Sequence, residues 1–445
     1  MRRTFMESPP ALLRQMLAAL VVPFNMFSKG APQMPFDFDP YDKAVIEDPY
    51  PAYKYLQDNE PVHYSNALRS WILTRYEDVR PSLNDPRLSA DRITPYLERI
   101  SPSERLKVQT VGPMLQRWSV FMDPPDHTRM RKLLNHGFTS TALINFRPRV
   151  QAIVERMIDQ LIAKGANGEE IDFINSFAYH LPATVIAEML GVPESDVEQF
   201  RAWSEDLATF VGSATDTPNK VRLAEASAIA LTDYFATTIE MRRTHPPAAK
   251  DVTVIDHMMA AEEDGDTLSL AELISNAVLL LFAGHETTTN LLGNGLIALL
   301  RNPEQLRLFT EQPDLAENAV EEILRYDGPV GSLARSVLED MEIGGRKLQR
   351  GQRVYCMLNA ANRDPRQFNN PDCLDITREN NRHIAFGYGI HFCVGAPLAR
   401  MESRFALAAM MKRMRAIELG NSPPIWRDSL VLRGLSSLMI RFKAA

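Results

Sequence analysis

Of the cysteines Cys356, Cys373 and Cys393, the last sits where a thiolate would be useful. The stretch from Phe386 through Cys393 to Gly395 (FGYGIHFCVG) holds three glycines in ten residues. Glycine permits the positive-φ turns that bring backbone N–H groups close to a sulfur. A helical pattern runs on from Pro397 to Arg415, with proline in the first turn, where its missing N–H costs nothing. The positive end of that helix favours a thiolate at Cys393. Such a sulfur is a nucleophile or a metal ligand, and the loop alone does not choose. A nucleophile wants a base; His391 is two residues away, but Cys–His pairs usually come from distant segments, and no Asn or Asp completes the set. Cys356, in an apolar strand, and Cys373, in a loop, read as inert. The three are too few and too scattered for a disulfide framework or a Cys-x-x-Cys zinc site, and a reducing compartment fits best.

A second constellation is Ala283-Gly284-His285-Glu286-Thr287-Thr288. Ser269 and Glu272 form a capping box, and a helical pattern without proline runs from Leu270 to Arg301 before Asn302-Pro303 ends it. That predicts a helix of about 48 Å, buried through the centre because Leu273 to Gly284 carries no charge on any face. Glu286 is costly there without a purpose or a partner. The Thr287 hydroxyl competes for the Ala283 carbonyl four residues back and loosens the helix into a local groove beside a proton donor. By itself, the hexapeptide is read as a satisfied buried acid among helix-packing threonines. His285, one position away, points elsewhere.

Charged residues supply the rest. Glu322 and Arg325 are three apart on a helix, ordinarily a surface bridge worth about 0.2–0.5 kcal/mol. Asp123-Pro124-Pro125 is a good helix start, and His127 and Arg131 share one face of the helix it begins. Taken alone, His127 to Lys132 is a basic solvated helix end. Arg129 and Lys132 turn to another face and suit an acidic electron donor.

Phe-x-x-Gly-x-x-x-Cys-x-Gly, filled by Phe386, Gly389, Cys393 and Gly395, resembles the heme-binding signature of the cytochrome P450 family. The hexapeptide at 283–288 resembles the family's oxygen-activation motif, and the motifs occur in the family's order across about Phe36 to Phe442. The resemblance implies a mainly α fold with small β-sheets, the cytochrome P450 fold. It implies heme b (iron protoporphyrin IX) with Cys393 as axial iron ligand, Phe386 in the signature, and Ala283 and Gly284 as the small residues beside the cofactor. His127, Arg131, Arg335 and His391 match propionate contacts. Thr287 stabilises bound oxygen and Glu286 feeds protons toward it. Glu322, Arg325 and Arg378 match a buried structural triad. The implied activity is insertion of one atom of dioxygen into a lipophilic organic substrate, with electrons from a separate ferredoxin-type donor. The pocket would draw on Ile93 to Ile100, a lid from Phe210 to Pro218, Asn276 to Leu280, Val330 to Leu333 and Leu435 to Leu438. Oxidative coupling, peroxide-driven chemistry and a non-catalytic heme sensor or carrier are the rivals; retention of Glu286 and Thr287 argues against each.

The elements that must position these residues are mostly helical. Val150 to Ala163, Leu181 to Leu190 and Ala224 to Arg243 have apolar residues at three and four spacing. Trp71 to Thr74, Arg353 to Met357 and Ser437 to Phe442 read as strands. With 45% hydrophobic and 24% charged residues, the chain is ordinary globular material, and a net charge of -7 argues against nucleic-acid binding. Residues 1–35 read as an N-terminal extension, mobile or peripheral, before a single domain over 36–445. Ala11 to Phe24 is apolar but short and carries Arg14, so a transmembrane anchor is not expected. Arg2-Arg3 faintly resembles a twin-arginine signal, but Pro9-Pro10 and the absence of a clear cleavage site weigh against export. A cytoplasmic monomer is expected.

Overall fold

A capped, proline-free run of residues organises the core. The computed structural model describes residues 37–165, 167–212, 219–248, 251–263 and 265–445. The 1–35 extension and positions 213–218 of the expected lid lie outside them. The principal helices are α1 (Asp126–Asn135), α2 (Ser140–Gly165), α3 (His180–Leu190), α4 (Val197–Gly212), α5 (Lys220–Thr244), α6 (Leu270–Arg301), α7 (Ala316–Asp327) and α8 (Ala396–Arg413). In α6, Ser269 Oγ accepts from the Glu272 N–H at 3.3 Å while Glu272 Oε2 accepts from the Ser269 N–H at 2.8 Å, the reciprocal cap its sequence predicts. Nearly every residue from Leu273 to Leu299 is buried, because α3, α5, α7 and α8 all pack against it.

Helix α2 is longer than its strongest periodicity, with Pro148 tolerated inside it. Helix α8 stops at Arg413, two residues early, because Met414 begins a strand. The strands are β1 (Val62–Ser65), β2 (Ser70–Leu73), β3 (Leu88–Ser89), β4 (Ile171–Asp172), β5 (Ser332–Val337), β6 (Arg353–Met357), β7 (Met414–Leu419) and β8 (Met439–Ala444). A five-stranded sheet has the order β1-β2-β6-β5-β3, parallel only where β6 meets β2 at Val354 and Trp71. Arg335 on β5 lies opposite Val354. A second sheet has the order β7-β8-β4. The closing run expected as one strand divides at Leu438: Leu435–Ser437 pairs with Ile425–Trp426, and β8 pairs with β7 and β4. Two different partners claim its halves, and periodicity cannot register that. Among the described residues, no helix is long and apolar enough to cross a membrane.

Candidate functional site

The cysteine loop closes on itself before α8 begins. The Cys393 N–H donates to Phe386 O at 3.0 Å, and the Phe392 N–H to Gly389 O at 3.0 Å. Gly387 and Gly389 take φ of 75° and 77°, where side chains are strained. At Gly389 a Cβ would also collide with Asn84 Oδ1, the acceptor for the Ile390 N–H. The sulfur sits ahead of α8 with N–H groups of Gly395 and Ala396 directed at it. Burial pushes its thiol up and outweighs those two N–H groups and the charges of Arg131 and Arg400, which pull it down. Cys393 is nonetheless solvent-accessible. Arg400 lies 4.5 Å over the Phe386 ring, holding the loop from below. Cys356 is buried, and Cys373 is exposed.

Cations gather beside this loop. The His127 and His391 rings lie 4.2 Å apart, and Arg131 Nη2 donates to Phe392 O at 2.7 Å, tying α1 to the cysteine loop. Burial, then His127, Arg335 and Arg131, push His391 down to about 3. Burial likewise lowers His127, Arg131 and Arg335. Asp123, the acid that influences His127 and Arg335, is already bonded by Ser89 Oγ and the Ala90 N–H. His127 Nδ1 is buried with no protein partner among the described residues. Four basic groups pressed together, depressed by burial, and lacking free counter-charge form a cradle for a dianion. The two propionates of heme fit it, and the Cys393 sulfur fits its iron.

On α6, Thr287 Oγ1 donates to Ala283 O at 3.0 Å, the local diversion expected from the sequence. Ala283 packs on the same apolar core as Phe386 and Val394. Gly284 does not belong with them: a Cβ there would meet Ile186 Cγ1 at 2.8 Å, so its smallness lets α3 approach α6. Glu286 is 2% exposed, and its partner is a residue the sequence did not suggest, Arg427, whose Nη1 donates to Oε2 at 3.1 Å. His285 bonds Leu281 O through Nδ1 at 2.8 Å and packs on Tyr179. Its Nε2 still comes within 3.8 Å of Glu286 Oε1, closer than a ring pointing elsewhere would.

The structural triad is assembled at zero exposure for Glu322 and Arg325. Arg325 grips Glu322 through two bonds of 2.8 and 2.7 Å, and Arg378 Nε reaches both carboxylate oxygens at 3.1 and 3.0 Å. The guanidiniums also bond carbonyls of Asn362, Pro371, Cys373 and Asn369, which pins the segment leading to the cysteine loop. Beside it, Glu321 carries a second cluster missed in the sequence. Burial would raise this carboxyl, but bonds from His383 and Arg400 overcome it and hold it at about 2.

Arg129 is not available to an electron donor in the way its helical face suggests. It pairs with Asp266 and, at 2.6 Å, with Glu272, fastening α1 to the start of α6 through acids more than a hundred residues downstream. Of the expected pocket walls, Ile93 and Ile100 are half-buried against the core, Leu435 and Leu438 are within it, and Asn276 is consumed by bonds to Arg117 O and Glu272 O.

Comparison with known proteins agrees with this geometry. Residues 100–437 match the family model Cytochrome P450. The chain is 40% identical over 410 residues to "Cytochrome P450 107B1" of Saccharopolyspora erythraea, covering 90% of this chain and 96% of that one. It is 39% identical over 409 residues to "Vitamin D(3) 25-hydroxylase" of Pseudonocardia autotrophica, with 90% and 96% covered. Among solved structures, P450BioI in complex with an acyl carrier protein ligated to hexadec-9Z-enoic acid superposes with a TM-score of 0.81 at 33% identity, covering 90% of this chain and 99% of that one. With a cysteine loop, a dianion cradle and an acid–alcohol helix in one fold, this chain belongs to the cytochrome P450 family.

Proposed function

We propose a division of labour for this heme-dependent mono-oxygenase: Cys393 ligates the iron of heme b, His127, Arg131, Arg335 and His391 hold its propionates, and Glu286 and Thr287 handle protons. Bound heme supplies the activation of dioxygen, one atom of which enters the organic substrate while the other leaves as water. The chain's own residues do the remainder. Burial on balance favours the Cys393 thiol, and the start of α8 with the N–H groups of Gly395 and Ala396 acts in the opposite sense, toward the thiolate that an iron ligand needs. Thr287, by giving its hydrogen to Ala283 O, is held with its oxygen in the loosened groove of α6. Glu286, enclosed by α6 and Arg427, presents a protonatable group where bulk water is excluded. Phe386 and Ala283 line the cofactor.

The substrate class is lipophilic, supported by the apolar, partly buried side chains of Ile93, Ile100 and Leu333 in the segments expected to form the pocket. Electrons come from a separate ferredoxin-type protein, the chain acts as a cytoplasmic monomer, and 36–445 is one heme-thiolate domain. The observation carrying this reading is the convergence of a cysteine under two N–H groups with a four-membered basic cradle. The test is turnover of a lipophilic panel with NADPH, ferredoxin reductase, ferredoxin and isotopically labelled dioxygen. One labelled oxygen per product is expected. Product formed only with added hydrogen peroxide would replace the reading with a peroxide-driven one.

A further inference from the structure

The polar face of α6 does not end at Glu286. Asn290 and Asn294 come next at four-residue intervals, so the three side chains stack along one face of α6. Ala298, the fourth in that series, lines a surface cleft of about 440 Å³. The row therefore runs about 18 Å, at 1.5 Å per residue, from the acid to the outside. All three polar residues are at most 2% exposed. Yet Glu286 Oε1, both amide atoms of Asn290 and Oδ1 of Asn294 have no protein partner among the described residues. Buried polar atoms in such numbers are satisfied by ordered water.

One segment, 427–434, covers the row. Arg427 bonds Glu286 at its head. Gly434 sits against Asn290, where any Cβ would collide with Oδ1, so only glycine lets this segment pack so closely on the row. Arg433 O accepts from Asn294 Nδ2 at 3.0 Å, and Asp327 O accepts from the same group at 3.0 Å. At the cleft, the Asp327 carboxylate accepts from Tyr50 Oη at 2.6 Å and from Arg433 Nε at 2.7 Å. Tyr50, Asp327 and Arg433 all line the cleft, so a hydroxyl and a carboxylate stand where the row meets solvent.

We propose that the Glu286–Asn290–Asn294 row is a water-filled proton conduit that reloads Glu286 from the cleft at Tyr50 and Asp327. Arg427 is its positioning residue, holding the carboxylate at the inner end. The inference rests on Glu286 being the proton-donating acid. Each mono-oxygenation consumes one dioxygen, two electrons from the ferredoxin-type donor and two protons from solvent, yielding oxygenated substrate and one water. Glu286 ends each cycle in the protonation state in which it began, so every proton it passes inward must be replaced from outside.

Asn290 gives the decisive variant because its side chain has no hydrogen-bond partner among the described residues to lose. If the row is mere packing, Asn290→Leu, similar in shape, is neutral or stabilising and leaves turnover alone. In the full-length holoprotein, dioxygen-dependent NADPH consumption is measured with a surrogate ferredoxin and its reductase, alongside a crystal structure that shows ordered water. The expected results are a chain of ordered waters from Glu286 to the cleft, a slowing of about tenfold in Asn290→Leu, recovery in the polar Asn290→Ser, and about a hundredfold loss in Glu286→Gln. Thermal unfolding of each variant identifies any loss due to misfolding, and the Asn290→Ser recovery stands free of it. A dry row, or full-rate Asn290→Leu beside a slowed Glu286→Gln, overturns the conduit while sparing the acid. Full-rate Glu286→Gln overturns the acid and the conduit together.

Discussion

At the residue scale, charge set against burial accounts for most of what the site can do. His391 is held neutral to about pH 3 in the folded cradle by burial and its cationic neighbours, whereas an unfolded chain protonates it near the ordinary value of about 6.5. Acidification therefore favours the unfolded state, and the stability of the heme-free protein should fall as pH drops from about 6.5 toward 3. Urea titrations across that range check it: His391→Phe should flatten the slope, and an unchanged slope would remove His391 as its source. Thr287→Ala is expected to keep the heme environment yet divert electrons to hydrogen peroxide, read as peroxide released per NADPH consumed. Unchanged coupling would exclude the hydroxyl from proton handling. The Thr287–Ala283 bond was legible in the sequence because it spans four residues of one helix. The Arg427–Glu286 pair was not, because it joins positions 141 residues apart and Arg427 sits in a loop of irregular pattern.

Among the elements, α6 was the most legible, since its cap, its apolar run and its terminating Asn302-Pro303 are all local signals. Its neighbours were less so. Gly284 looked like part of a cofactor groove, but the decisive fact is Ile186 on α3, which no spacing within α6 could reveal. Arg129 looked like a surface cation until the pairing of Glu262–Glu263 with Asp266–Thr267 set Asp266 against it. The triad of α7 shows why the loop before α8 stays in place. Removing Arg325 would leave Glu322 buried without its bidentate partner and several carbonyls without donors, so Arg325→Ala should cost about 3–5 kcal/mol. Chemical denaturation of the holoprotein measures this, and a loss under about 1 kcal/mol would make the pair a surface-like bridge. Gly389→Ala should also destabilise, by roughly 1–2 kcal/mol from its positive φ alone, with a further penalty for displacing Asn84.

For the whole molecule, the sequence carried the fold class and the order of the motifs, because both rest on helical periodicity and short patterns. The sheet order β1-β2-β6-β5-β3 was beyond it: short strands from distant segments carry little pairing information of their own. What the assembled chain adds is placement. Cys393 ahead of α8, the cradle on α1, β5 and the cysteine loop, and the acid on α6 come from segments spread over more than 250 residues, and only the fold makes them one site. The central claim is that Cys393 binds heme iron as a thiolate, and the carbon monoxide difference spectrum of the reduced holoprotein tests it most directly. A Soret band shifted to the red, as thiolate ligation requires, and its loss in Cys393→His with heme retained, is the predicted result; a band at the position given by a neutral ligand in the unsubstituted protein would contradict it.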